Sequence, residues 1–105
     1  MPLTYIAIAE DNVVGVARLV ENDMDVRPDL QPWLGSVFVP KEHRHKGFGR
    51  ALCAAIVEAS ADLSFETVYL FTPDQCQFYL HQGWVAVEKI EHQNQSVTIM
   101  SHRNG

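Results

Sequence analysis

Alternating apolar and polar residues at the start of the chain predict an antiparallel hairpin. The segments Tyr5 to Glu10 and Val13 to Val20 are rich in β-branched and aromatic residues, and Asp11-Asn12 between them is typical of a turn. A polar, acidic connection follows over Glu21 to Pro32, and the apolar run Trp33 to Val39 then predicts a buried strand. The chain is therefore predicted to begin with three strands.

Helical periodicity begins after the third predicted strand. Apolar residues recur at steps of three or four and predict an amphipathic helix over Gly49 to Leu63. These apolar positions are Leu52, Ile56, Ala59 and Leu63. Thr67 to Phe71 predicts another short buried strand. Because a strand, helix, strand succession normally makes a right-handed parallel crossover, we expect the third and fourth strands to be parallel neighbours.

The end of the chain predicts a short helix and a second hairpin. Asp74 is the predicted N-cap and Gly83 the predicted end of a helix over Gln75 to Gln82. Trp84 to Glu91 and Ser96 to His102 then predict two strands with a loop between them. The order β, β, β, α, β, α, β, β predicts an α+β fold, an α/β sandwich whose mixed, mostly antiparallel sheet carries two helices.

Composition indicates a single domain over residues 1–105. A chain of 105 residues that is 47% apolar can bury one modest core, and 20% charged residues without repeats argue against disorder. The formal charge of −5 argues against a nucleic-acid partner, which favours a basic surface. The two cysteines show neither metal-ligand nor disulfide spacing, and no leader precedes the first strand. We therefore predict a cytoplasmic protein with no metal and no membrane partner.

Basic residues of this acidic chain are concentrated between residues 41 and 50, which hold Lys41, His43, Arg44, His45, Lys46 and Arg50. There, Arg-x-x-Gly-x-Gly over Arg44 to Gly49 joins a predicted buried strand to a predicted helix. Glycines let the backbone approach an anion, and the amides and dipole of a helix start favour phosphate oxygens. The spacing excludes an NTPase phosphate loop and a dinucleotide-binding turn. The turn therefore predicts an anion site, the alternative being a tight connection with solvated lysines.

Two motifs resemble those of the GNAT acetyltransferase family. Arg44-x-x-Gly47-x-Gly49 matches the family's Gln/Arg-x-x-Gly-x-Gly/Ala motif, which follows a strand ending in alternating valines. Phe78 to Trp84 resembles the family's Phe-Tyr-x-x-x-Gly-Phe/Trp motif at the expected distance downstream. The likeness extends from Tyr5 to about His102. It implies a GNAT-like acyl-CoA N-acyltransferase fold with acetyl-CoA (coenzyme A) as cosubstrate.

The resemblance implies a role for each motif. The backbones of Val37 and Val39 would pair with the pantetheine arm, and Arg44 to Arg50 would hold the pyrophosphate, with His45 contributing its backbone. Tyr79 would face the thioester sulfur as the catalytic general acid, although without the resemblance it is more typical of an aromatic on the buried face of a short helix. The implied cofactor-binding residues are Val37, Phe38, Val39, Arg44, His45, Lys46, Gly47, Phe48, Gly49 and Arg50.

The implied reaction is direct attack of a primary amine, from a small molecule or a peptide, on the acetyl group. The sequence does not assign the general base. Its candidates lie in the acidic connection and in the last hairpin loop, and they are Glu21, Asp23, Asp25, Asp29 and His92. We expect both loops at the sheet end opposite the pyrophosphate turn, where the acidic loop would attract a cationic amine, the alternative being a solvated loop. A CoA-binding subunit or sensor without turnover, and an interaction domain whose turn binds nothing, are the competing hypotheses.

The chain departs from the family pattern at its start. It begins at what would be the second strand of the family, so the first strand and two helices are not expected here. Their absence would leave a sheet edge and an apolar patch uncovered, and homodimerisation is the hypothesis that follows. Among the remaining candidates, Cys76 is expected to be a small buried hydrophobe, and His81 and His102 are expected at the surface.

Overall fold

Six strands and two helices make up the computed structural model, which describes residues 2–104. The strands are β1 (Pro2–Ala9), β2 (Asn12–Val20), β3 (Trp33–Phe38), β4 (Thr67–Thr72), β5 (Val85–His92) and β6 (Gln95–Arg103). Helix α1 (Phe48–Asp62) follows β3, helix α2 (Cys76–Leu80) follows β4, and a 3-10 turn (Lys41–His43) precedes α1. This order confirms the predicted fold class and sequence of elements.

The strands form one mixed sheet in the order β1-β2-β3-β4-β6-β5. β3 and β4 are parallel, as predicted from the strand, helix, strand succession, and the other neighbours are antiparallel. Both hairpins turn on two residues with positive φ, Glu10 and Asp11 in the first and Gln93 and Asn94 in the second. The first turn therefore lies one residue earlier than the predicted Asp11-Asn12, because Asn12 already belongs to β2.

Helix α1 packs on one face of the sheet and forms the main core with it. Leu52, Ile56 and Ala59 are buried in this core, as the helical spacing predicts. Gly15 of β2 permits the close approach, because a Cβ atom there would lie 2.9 Å from Cδ1 of Leu52. Leu63 was predicted on the same apolar face and is 47% exposed, because α1 ends at Asp62 and the chain turns away.

The connection between β2 and β3 covers part of the opposite face of the sheet. Met24 is 1% exposed and packs there with Trp33 and two residues of β6. Arg27 forms an ion pair with Glu88 of β5, so the connection crosses β4 and β6 to reach the far strand. This crossing gives the sheet a second, smaller core.

The same face is uncovered over the first three strands. Ile6, Val16 and Phe38 stand in register across β1, β2 and β3. The exposed large apolar side chains of this region are Ile6 at 53%, Ile8 at 63%, Val13 at 54% and Phe38 at 55%. We call these four residues the apolar row.

Helix α2 begins and ends at other residues than the sequence predicts. Asp74 was predicted as its N-cap, but Gln75 is the N-cap residue, and no side chain of residues 2–104 caps the helix there. Oγ1 of Thr72 accepts hydrogen bonds from the amides of Asp74 and Gln75, which holds these two residues in a turn before α2. The helix spans Cys76–Leu80 and is shorter than the predicted span. Gly83, predicted to end the helix, has φ of 89° in the turn that follows it. Neither helix among residues 2–104 is long and apolar enough to cross a membrane.

Candidate active site

A bulge in β3 opens the sheet between β3 and β4. Arg18 pairs with Ser36 and Leu19 pairs with Leu34, so Gly35 is the extra residue on β3. A bulge bends the strand that carries it. Within residues 2–104, Trp33 and Tyr69 are the one Cα pair between the two strands, and β3 diverges from β4 after this pair. The bulge thereby creates a gap between parallel strands.

A groove of about 720 Å³ lies beside this gap, on the side of the sheet that carries the helices. It is bounded by the carboxyl end of β3, the basic turn, the start of α1 and helix α2. The lining residues are Val37, Phe38, Val39, His43, Arg44, His45, Gly47, Phe48, Gly49, Arg50, Gln75, Phe78 and Tyr79. The groove therefore brings together the two sequence motifs and most of the predicted site residues.

The basic turn places unpaired backbone amides at the groove. His45 and Gly47 have φ of 64° and 86°, and the first hydrogen bond of α1 runs from the amide of Ala51 to the carbonyl of Gly47, at 3.0 Å. The amides of Phe48 and Gly49 precede that bond, so no carbonyl of the helix can pair with them. A helix start with such amides attracts anions. The turn thus has the backbone geometry of a phosphate site.

Arg44 holds the turn against the end of β3. Its Nε donates a hydrogen bond of 2.9 Å to the carbonyl of Val39, while its guanidinium charge lines the groove. Arg50 adds a second positive charge from the first turn of α1. Lys46, which was predicted to bind the cofactor, lies exposed in the turn and is not among the groove's lining residues.

Tyr79 lines the groove from helix α2. Its ring is half-buried and packs edge-on against Phe78, at 5.1 Å, and Trp84, at 6.0 Å between ring centroids. Burial, with a smaller effect from Cys53, raises the pKa of Tyr79 to about 12. The side chain is therefore a neutral phenol, able to donate a hydrogen bond into the groove.

Three lining residues were not predicted from the sequence: His43, Gln75 and Phe78. Phe78 belongs to the second motif, where the adjacent tyrosine drew the functional assignment. His43 lies in the basic turn and packs edge-on against Phe48 at 6.4 Å. Gln75 immediately precedes α2, and no feature of the sequence distinguishes it from other polar residues of that loop.

The cysteines are set apart from the chemistry of the groove. Cys53 is 1% exposed, and burial raises the pKa of its thiol to about 12, which makes it unreactive. Cys76 is half-buried against the main core, close to its predicted role as a hydrophobe. His81 is exposed as predicted. His102 was predicted at the surface and is instead half-buried against Trp84, at 5.5 Å, because β6 turns its side chain toward the helices.

The two loops proposed to receive the acceptor come together, although not at the expected position. The acidic connection enters the amino end of β3, as predicted, but Thr72 pairs with Thr98, so the last hairpin turns beyond the carboxyl end of β4. The loops meet because the connection crosses the sheet, and the charge of His92 acts on Asp23. Asp29 is paired with Arg27 at 3.0 Å, and this hydrogen bond lowers its pKa.

The fold is similar to that of several solved acetyltransferases. One is a protein from Bacillus anthracis str. Ames that is described as a streptothricin acetyltransferase and was solved in complex with acetyl coenzyme A. Its structure matches this one with a TM-score of 0.82 and 18% sequence identity, and the match covers 99% of this chain and 63% of that chain. A Bacillus subtilis acetyltransferase in complex with CoA matches with a TM-score of 0.73 and 21% sequence identity, and the match covers 96% of this chain and 76% of that chain.

A ribosomal-protein-alanine N-acetyltransferase from Brucella melitensis has a TM-score of 0.78 at 20% identity, over 96% of this chain and 68% of that chain. At these identities the likeness shows the fold. The chain spans 63% of the length of the Bacillus anthracis protein. Comparison with curated protein sequences found no match.

The family assignment comes from the sequence match to a family model. The acetyltransferase (GNAT) domain model matches residues 2–86, which include the basic turn, both helices and the second motif. The match confirms the family resemblance. This chain belongs to the GNAT family of acetyl-CoA-dependent acetyltransferases.

Proposed function

We propose that this domain transfers an acetyl group from acetyl-CoA to a primary amine of a small molecule or a peptide. The observation that supports the proposal most directly is the groove, which is lined both by the start of α1, with its free amides, and by the half-buried phenol of Tyr79. A diphosphate at the amides of Phe48 and Gly49 and a thioester near Tyr79 would occupy its two ends. The apolar side chains of Val37 and Val39 suit the intervening chain of the cosubstrate.

The reaction requires stabilisation of the negative charge that develops on two atoms, the carbonyl oxygen and the sulfur. The amine nitrogen forms a bond to the acetyl carbon, negative charge develops on the carbonyl oxygen, and the C–S bond then breaks. The strand after the bulge is unpaired on its β4 side, so its backbone amides are the proposed donors to the oxygen. Tyr79 is the proposed general acid toward sulfur.

The high pKa of Tyr79 limits when its proton moves. A phenol with a pKa of about 12 is a weaker acid than a thiol, whose ordinary pKa is about 8.5. Tyr79 therefore donates a hydrogen bond while charge develops on sulfur. The departing thiolate receives its proton through Tyr79 only as solvent supplies another to the phenol, so that no phenolate accumulates.

A competing function keeps the cosubstrate and loses the reaction. That function is a CoA-binding subunit or sensor, in which the groove holds the cosubstrate without turnover. Incubating the protein with acetyl-CoA and a panel of primary amines, namely alkylamines, amino sugars and peptides, separates the two. Release of CoA thiol together with an acetylated amine in the mass spectrum supports acetyl transfer. Calorimetric binding of acetyl-CoA without any acetylated amine supports the sensor.

A further inference from the structure

Charged and aromatic side chains gather on the sheet face opposite the helices, where β3 leaves β4. Phe71 follows Tyr69 by two residues on β4, so both side chains point to this face. The ring of Phe71 lies 6.1 Å from that of Trp33 and 5.0 Å from that of His92. His92 therefore lies beside the gap between the strands, on the side away from the groove.

Asp23 reaches the same place from the connection between β2 and β3. Its neighbour Met24 is buried in the small core with Trp33, which fixes this part of the connection against the sheet. Asp23 itself is half-buried, and burial raises its pKa, while the charges of His92 and Arg18 lower it. Arg18 pairs with Ser36, directly beside the bulge. The packing of Met24 and the partial burial of Asp23 thus place this carboxyl on the sheet face that carries Trp33 and His92.

Three other charged residues near this face are already paired with one another. Arg27 pairs with both Asp29 and Glu88. Asp25 is exposed to solvent, whereas Asp23 is partly withdrawn from it. The groups that face Asp23 are Arg18 from β2 and His92 from β5. Asp23 is therefore the one carboxylate of residues 21–32 that is partly buried on this face, since Glu21, Asp25 and Asp29 are exposed.

We propose that Asp23 binds the attacking amine and accepts its proton, and that the amine enters from the sheet face opposite the helices. This inference rests on the proposed acetyl transfer. A cosubstrate held by its diphosphate at Gly47 and extended along β3 would bring its thioester to the bulge, with Tyr79 on one side of the sheet. The side that carries Asp23 is then the one left for the acceptor.

The proton balance of the step is complete without another reactant. The Asp23 carboxylate takes one proton from the ammonium group, and the neutral amine attacks the acetyl carbon. The C–N bond forms, the C–S bond breaks, and the second proton on nitrogen passes to the departing thiolate through solvent or Tyr79. Asp23 then returns its proton to solvent. The products are the acetylated amine, CoA thiol and one proton.

The test compares Asp23→Asn with Asp25→Asn, a matched change in the same connection. With the best acceptor of the amine panel, Asp23→Asn should lower kcat/KM for the amine roughly 100-fold, the effect of losing a general base, while the Kd of acetyl-CoA stays unchanged. The acidic limb of the pH profile should disappear in this variant. Asp25→Asn should keep both the rate and the profile.

A carbon-13 titration of the Asp23 carboxyl tests the cluster without turnover. Replacing His92 with Gln should raise the pKa of Asp23, because a positive charge that lowers it is removed. An unchanged titration overturns the cluster. An active wild type with Asp23→Asn within twofold of it overturns the role of Asp23 and leaves acetyl transfer standing. A wild type that binds acetyl-CoA and acetylates no amine overturns both.

Discussion

Trp33 of β3 and Tyr69 of β4 stand opposite each other where the two halves of the sheet join, with ring centroids 5.8 Å apart. The amide of Tyr69 also donates a hydrogen bond of 3.0 Å to the carbonyl of Pro32, which precedes β3. Beyond this pair, the bulge at Gly35 turns β3 away from β4. The position of the groove therefore depends on the contact between Trp33 and Tyr69 and on the bulge at Gly35.

Gly35→Ala should destabilise the protein through a contact with Val20. A Cβ atom at residue 35 would lie 3.2 Å from Cγ2 of Val20, closer than ordinary packing allows. We expect a loss of about 1–3 kcal/mol in the free energy of unfolding, the usual cost of overpacking. Chemical denaturation measures it. Val20→Ala in the same chain should recover part of the loss, and strictly additive effects of the two changes would contradict the proposed contact.

Gly47→Ala should weaken the turn, whereas Gly49→Ala should be tolerated. Gly47 has φ of 86°, and a residue with a Cβ atom in this region costs roughly 1–2 kcal/mol. At Gly49 an added Cβ would make ordinary contacts, 3.6 Å to Phe78 and 3.8 Å to Val39, in a helical backbone that favours alanine. Melting temperatures and calorimetric Kd values for acetyl-CoA check both. Equal losses in the two variants would contradict this account.

Tyr79→Phe should lower kcat and leave cosubstrate binding nearly unchanged. The variant keeps the ring that packs on Phe78 and Trp84 and removes the hydroxyl, so we expect roughly a 100-fold loss in kcat. Tyr5→Phe is the matched control, since Tyr5 packs against the main core from β1, away from the groove. Steady-state kinetics with both variants make the comparison. A Tyr79→Phe enzyme with wild-type kcat would remove the general acid from the proposal.

The sequence predicts the fold and the cofactor side of the site because both depend on local patterns. Helical spacing from Leu52, the alternation of the hairpins and the glycine turn each involve neighbouring residues, and each predicted element is present. The predicted cap of α2 was wrong because the helix begins one residue later than expected, with Gln75 as its N-cap. The amides of Asp74 and Gln75 bind the hydroxyl of Thr72 in a turn at the end of β4, and a capping pattern within the helix sequence does not reveal that turn.

The acceptor side could not be predicted in the same way. It depends on the path of the connection across the sheet, which Met24 fixes by burying against Trp33. Long-range contacts of this kind leave no periodic signal in the sequence. For the same reason the sequence offered several acidic candidates, and the crossing of the connection separates Asp23 from the paired Asp29.

Asp23 should make stability depend on pH, and its replacement by Asn should abolish that contribution. Burial raises its pKa above the ordinary 3.8, so the folded state holds the proton more tightly than the unfolded chain does. Its contribution to stability is therefore fully present below pH 3.8 and is lost as the pH rises through the raised value. Relative to Asp23→Asn, the melting temperature of the wild type should fall over this interval. A constant difference between the two proteins would contradict the burial of this carboxyl.

The apolar row gives the homodimer hypothesis a surface to test. Exposed apolar patches on a sheet face favour association, and β1 is also an open edge strand. Replacing Ile6 and Ile8 with Thr keeps β-branched residues and removes apolar area. We expect light scattering to show a dimer for the wild type at micromolar concentration and a shift toward monomer for this variant. A monomeric wild type would exclude the hypothesis.

The proposed function depends above all on the backbone amides at the start of α1, which are proposed to bind the diphosphate of acetyl-CoA. An amide nitrogen-15 and proton NMR titration with acetyl-CoA observes those groups directly. We predict saturable shifts of the amides of residues 45–50, larger than those of the hairpin turns at 10–11 and 93–94. Shifts that leave residues 45–50 unchanged, or no binding at millimolar acetyl-CoA, would contradict the account.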